Sequence, residues 1–250
     1  MPEGLTDALG APELPVAIVA VVVAGLVYGF AGFGAALVAV PVLAALYSPA
    51  DAVGIFALSA LASLVTVVPR AWREGDRQAT AHLLASAVVT LPVGLYVLRN
   101  TPSGVLRWLI CLLVLGTLAA LILGWRRQGA DRMSGRVAVG AATGLIGGAT
   151  GLTGPVVVLF QLSGREEAGR IRANITLFLS LLSVVMLPLL VISGVLGPRQ
   201  AAVGLILLPF YAVATRTGQA LFRPQHEVLY RMVAYTVVAA AGVAGLPIWT

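Results

Sequence analysis

The stretch GLVYGFAGFGAALVAVP, Gly25 to Pro41, carries no charge, is apolar on both flanks and is interrupted by Gly32-Phe33-Gly34. A second stretch, GLIGGATGLTGPVVVLF from Gly144 to Phe160, repeats the pattern, with Gly144, Gly148 and Gly151 opposite Gly25, Gly29 and Gly32. A glycine inside a helix costs about 1 kcal/mol relative to alanine, so two such clusters need a physical reason. The solvent in which they sit decides what that reason is.

Outward from these stretches the chain is a succession of apolar runs with short polar breaks. Of its 250 residues 59% are apolar and only 10% are charged, with a mean hydropathy of +0.98. A soluble domain needs about a quarter of its residues charged, so the solvent is lipid. The reading is an all-α integral membrane protein with apolar segments near 14 to 31, 35 to 47, 52 to 69, 79 to 98, 104 to 125, 135 to 150, 154 to 163, 173 to 194, 200 to 222 and 229 to 247. At about 1.5 Å per residue, roughly twenty residues cross a bilayer, and segments 35 to 47 and 154 to 163 fall short of that. Each follows a glycine break, and each is expected to be half of a broken or re-entrant helix pair.

The net charge of +6 comes from arginines placed in the breaks between apolar runs, with no lysine anywhere and no basic residue before Arg70. That placement is a topology signal rather than a nucleic-acid face. If each short segment returns the chain to the side it came from, and the N-terminus is outside, thirteen arginines face inward. Only Arg99, Arg107 and Arg199 face outward. Five segments per half is an odd number, so residues 1–128 and 129–250 are expected to be inverted repeats. Gly94, Arg99 and Arg107 opposite Gly218, Arg223 and Arg231 extend the match, with the offset changing from 119 to 124.

The expected chemistry is binding. A half-helix N-terminus offers unpaired N–H groups and about half a positive charge, so two of them suit a small oxyanion. Gly32, Phe33 and Gly34, with Gly151, Leu152, Thr153 and Gly154, are the substrate-binding candidates, and Pro155 fits the first turn of the second half-helix. Close helix packing through Gly25/Gly29 and Gly144/Gly148 is the compatible structural reading. None of the ten acidic residues lies deep in an apolar segment, Asp51 being nearest, which disfavours a cation path. Tyr28, Thr176 and Gln161 are weighed as interhelical hydrogen-bond formers, and Arg216 as a residue that snorkels to the inner surface. Cys111 reads as core filler, and His82 and His226 are far apart in sequence. No catalytic motif or metal cluster is present in the sequence, so neither an enzyme nor a cofactor is expected.

The segments GFAGFGAALVAVP, Gly29 to Pro41, and GGATGLTGPVVVL, Gly147 to Leu159, followed by Arg172-Ala173-Asn174, resemble the sulfite exporter TauE/SafE family of permeases over nearly the whole chain. The resemblance implies a two-repeat permease for sulfite or an organosulfonate in a bacterial cytoplasmic membrane, and it adds Asn174 to the substrate-binding candidates. Ala35 and Ala36 stand where such proteins often have further glycine. The expected partners are a small anion and the lipid bilayer, with homo-oligomerisation left open. A membrane scaffold or an anion channel are the competing readings.

Overall fold

The computed structural model describes residues 11–124, 133–161, 168–221 and 227–248, and among these the only regular structure is helical. In a solvent without hydrogen-bonding partners every backbone N–H and C=O must be satisfied within the protein, and a helix does this within its own segment. The helices are α1 Leu14–Ala31, α2 Ala35–Leu46, α3 Pro49–Ser59, α4 Ser63–Thr66, α5 Val68–Glu74, α6 Arg77–Asn100, α7 Ser103–Ile122, α8 Met133–Thr150, α9 Gly154–Gln161, α10 Ala168–Ile192, α11 Pro198–Leu221 and α12 Glu227–Ala244. Six helical stretches are long and apolar enough to cross a bilayer: Leu14–Ala31, Pro49–Thr66, Arg77–Asn100, Ser103–Ile122, Gly169–Ile192 and Pro198–Leu221. The protein is a multi-pass membrane protein.

Local chemistry fixes several boundaries. The Ser48 side chain accepts from the Asp51 N–H and starts α3, and Asp76 accepts from Gln78 N and Ala79 N to start α6. The single apolar segment expected over 52–69 is the helical stretch Pro49–Thr66, made of α3, a 3-10 turn at Ala60–Ala62 and α4, and it ends earlier than expected because Pro69 opens the separate helix α5. Proline lacks the N–H that would continue the preceding helix, so Arg70 and Arg73 sit on a short helix rather than in a loop. Helix α10 likewise begins at Ala168, five residues before the expected 173, and takes Arg170 and Arg172 into its first turns. Arginine is a good helix former whose aliphatic stem tolerates apolar surroundings.

Contacts between helix ends fix the run of the chain. The Asp76 N–H donates to Asn174 Oδ1 at 2.6 Å, so α6 and α10 start on the same face. Arg172, near the start of α10, donates to the carbonyl of Gly29 near the end of α1. Tyr47, at the end of α2, lies on the opposite face with Glu13 and Arg199. Its phenol is pushed up by burial and then by the Glu13 carboxylate, and drawn down by Arg199. The α1/α2 pair therefore leaves and returns to one face. Arg70, Arg73, Arg77, Arg136, Arg170, Arg172, Arg216 and Arg231 lie toward the face where α6 and α10 begin, and Arg99, Arg107 and Arg199 toward the other. Arg216 is exposed, as a snorkelling side chain requires.

The closest packing is backbone on backbone. A Cβ at Gly29 would lie 2.8 Å from the Gly218 Cα and 2.8 Å from Gln219 N, and would strike the Thr215 carbonyl. A Cβ at Gly148 would lie 3.0 Å from the Gly94 Cα and 3.0 Å from Leu95 N, and 2.6 Å from the Leu91 carbonyl. The second set is the first shifted by 119 residues on one helix and 124 on the other. Gly25 and Gly144 follow suit, the first against Tyr211 O and Ala214 Cβ, the second against Ala87 O and Thr90 Oγ1. In both pairs contacts advance together along the two helices, so α1 is parallel to α11 and α8 is parallel to α6.

Two outcomes follow from this packing. Gly94→Ala places a methyl against the α8 backbone, an overpacking cost of about 1–3 kcal/mol, whereas Gly116→Ala enters open space on α7 and is neutral or better by up to about 1 kcal/mol. Heating each variant in detergent until the buried Cys111 thiol reacts should show a lower transition for the first only. Equal transitions would contradict the backbone contact. In a Cys111→Ala background, Arg99→Cys and Arg199→Cys should react with an impermeant maleimide from one side of the membrane and Arg73→Cys from the other. Labelling of Arg73→Cys and Arg99→Cys from the same side would refute the run of α6.

Candidate functional site

The first glycine break is built by backbone conformation. Gly32 caps α1 at φ 79° and Gly34 precedes α2 at φ 93°, both in the left-handed region that glycine enters without a Cβ penalty. Helix α1 therefore ends with its last carbonyls unpaired, and α10 supplies the donors: Arg172 to Gly29 O, and Thr176 Oγ1 to Gly32 O at 3.2 Å. A guanidinium at a helix C-terminus also meets the negative end of its dipole. On the other side of the break, no acceptor among the described residues takes the N–H groups of Phe33, Gly34, Ala35, Ala36 and Leu37. Ala35 and Leu37 are buried, and Phe33 packs on the core.

The second break is built similarly. Gly151 adopts φ 74°, and its N–H returns to Gly147 O at 2.7 Å. Leu152 N donates to Thr150 Oγ1 at 3.2 Å, and Leu152 itself is completely buried. Thr153 turns its methyl toward Gly147, where a Cβ would come within 2.6 Å of it. Gly154 then opens α9 with Pro155 directly behind it, and among the described residues nothing accepts from the N–H groups of Gly154, Val156 and Val157. Gly154 is buried, yet a Cβ built on it would meet no atom of the described residues within 4 Å beyond its own helix and chain neighbours. A small unfilled space therefore adjoins the first turn of α9.

The two breaks are served by different helices. Gly32 lies against the Arg172 side chain of α10, and Gly151 against the Val53 side chain of α3, where a Cβ would come within 2.9 Å of Val53 Cγ2. Asn174, 2% exposed, accepts from the Asp76 N–H at Oδ1 and lies beside Gly75, at the turn between α5 and α6.

Tyr28 and Thr176, expected as interhelical hydrogen-bond formers, do bond between helices, and sequence reasoning passed over the two serines, Ser63 and Ser180, that form a chain with Tyr28. Tyr28 Oη and Ser180 Oγ are 3.3 Å apart, and Ser63 Oγ donates to Ser180 Oγ at 3.0 Å. All three are buried, as is Thr176. Arg172, Thr176 and Ser180 recur every fourth residue, which puts them on one face of α10. That spacing is visible in the sequence. What it does not reveal is that the facing helices are α1 and α4, more than a hundred residues away.

No curated protein and no solved structure matches the chain. The family model described as Sulfite exporter TauE/SafE matches residues 17–245. Both glycine breaks, the Arg172-Ala173-Asn174 stretch and all six bilayer-length helical stretches fall almost wholly within that match, and the chain belongs to the sulfite exporter TauE/SafE family of membrane transporters.

Proposed function

We propose that this protein is a secondary transporter that carries a small sulfur-containing anion, such as sulfite or an organosulfonate, outward across a bacterial cytoplasmic membrane. The observation that carries the reading is the space at Gly154. A buried glycine with room for a methyl, next to unclaimed N–H groups at a helix N-terminus, is a place where a ligand comes closer to the backbone than any side chain would let it. The N–H groups of α2 at the first break provide a counterpart of the same polarity. Such fixed donors stabilise a desolvated oxyanion without a titratable partner, and they repel cations.

The repeated packing of Gly29 on Gly218 and of Gly148 on Gly94 supports two inverted repeats, residues 1–128 and 129–250. Helix α1 runs toward the face where α6 begins. Its counterpart α8 is parallel to α6 and so runs the opposite way. Each glycine break then falls at an equivalent place in its own half but toward an opposite face. That relation allows one site to be approached from either side in turn. Arginines concentrated on one face support placing that face in the cytoplasm.

The test is flux of sulfite, sulfoacetate and sulfate into proteoliposomes, comparing wild type with Gly154→Ala and Thr153→Val at matched incorporation. Wild type should show saturable flux of one sulfur anion. Gly154→Ala should fold with unchanged thermal stability and raise KM by about tenfold or more, the effect of weakening one hydrogen bond to a charged group worth about 1.5–3 kcal/mol. Well-folded wild type with no flux of any of the three would overturn the assignment. Unaltered KM in Gly154→Ala would move the site away from α9.

A further inference from the structure

The helices sort into two groups by their packing. Helices α1, α3 and α4 pack on α11, and α2 packs on α1, α3 and α12. Helices α8, α9 and α10 pack in succession, α6 lies against α8 and α10, and α5 against α10. Each group thus joins the opening helices of one half of the chain to a closing helix of the other, through the glycine contacts of α1 with α11 and α8 with α6. The groups meet where α1, α3 and α4 approach α10, and α7 lies against members of both.

Among the described residues, four side-chain hydrogen bonds from the Arg172–Thr176–Ser180 stripe cross this meeting line. They are Arg172 to Gly29 O, Thr176 to Gly32 O, and the two that join Ser180 to Tyr28 and Ser63. Hydroxyl contacts such as Thr66 with Thr215 or Ser59 with Gly204 O lie inside one group. The stripe runs from the arginine-rich face to the middle of α10 and no further. Toward the other face, Gly151 meets Val53, and the residues four and eight places beyond Val53 are Ala57 and Leu61, both apolar.

We infer that this stripe is a hydrogen-bonded gate in the arginine-rich half of the anion path, closed in this structure. The inference rests on the transporter reading above and assigns the gate to residues outside the glycine breaks. In the closed form the donors of Arg172, Thr176, Ser63 and Tyr28 are spent on carbonyls and on other hydroxyls. When the two groups part, the same donors face the opening and are presented to an oxyanion on its way to or from the breaks. Arg172 supplies charge at the mouth, and the hydroxyls supply neutral donors deeper in, where a second charge would be costly. The apolar line at Val53 closes the opposite half by packing alone, so the two gates differ in chemistry.

Two measurements in a Cys111→Ala background test this. First, Ser180→Cys should react with a membrane-impermeant sulfonate methanethiosulfonate from the arginine-rich face only, whereas Thr215→Cys, completely buried inside one group, should not react. Failure of Ser180→Cys to react from that face would overturn the gate whether or not the protein carries sulfite. Second, oxidative cross-linking of Ser63→Cys/Ser180→Cys, whose oxygens are 3.0 Å apart across the line, should cut sulfite flux to that of empty liposomes, with recovery on reduction. Cross-linking Thr66→Cys/Thr215→Cys, 3.2 Å apart within one group, should leave flux intact. Flux that survives the first cross-link, or is lost equally with the second, would also overturn it. A reactive Ser180→Cys in a protein that moves no sulfur anion would uphold the gate and reject the substrate.

Discussion

Backbone contact between α1 and α11, and between α8 and α6, constrains everything else in this molecule. In lipid there is no hydrophobic force to press one apolar helix on another, so association depends on how closely the surfaces fit. At Gly29, Gly218, Gly94 and Gly148 nothing but hydrogen separates the two backbones, and the surrounding carbonyls leave no room for a methyl. Contacts of that kind resist sliding, because any shift along the axis drives a Cβ of a neighbouring residue into the opposite backbone. The helices that are locked in this way come from different halves of the sequence. The proposed halves therefore cannot move apart as continuous pieces of chain, and motion has to be sought along a line where packing is looser and polar.

That line is where α10 faces α1 and α4. A hydroxyl can both donate and accept, so a cluster of hydroxyls can close on itself when no ligand is present and turn outward when one arrives. Tyr28, Ser63 and Ser180 share two hydrogen bonds among three O–H groups, and one donor remains whichever way the bonds are drawn. A buried carboxylate at the same place would hold a cation and turn away an anion. Its absence from the described core was the first hint of substrate charge, and the hydroxyl cluster is what occupies the middle of the protein instead.

Much of this architecture is legible in the sequence because it follows from local chemistry. The apolar runs mark the helices; Gly32, Gly34 and Gly151 mark the points where the chain takes positive φ; and the arginines mark a face. Boundaries fail where a polar residue continues a helix, as Arg170 and Arg172 do at the start of α10, or where a proline divides an apolar run, as Pro69 does before α5. The site is legible only in its backbone. Asn174 is a ligand candidate by its motif, and its oxygen receives the Asp76 N–H, a partner 98 residues distant that no periodicity can announce. Ser180 and Ser63 are unremarkable as single residues in apolar segments, and gain meaning only when they meet.

The asymmetry between the two glycine breaks bears on how a duplicated protein acquires direction. The breaks share their glycine pattern, their left-handed turn and their unclaimed N–H groups, so each offers an anion much the same backbone. What faces them differs: a guanidinium and two hydroxyls on α10 at the first, the Val53 side chain of α3 at the second. Hydrogen bonds released by opening the first can be remade with an oxyanion, so the cost of opening falls when substrate is present on that side. Apolar packing at the second has nothing to exchange with an anion, and its opening cost is independent of substrate outside. A ligand shifts a conformational equilibrium only by its differential affinity for the two states. On that ground an anion on the arginine-rich side promotes opening toward itself more than an anion on the far side does. Pseudo-symmetric backbones with unlike linings thus give a physical basis for loading from one side of the membrane.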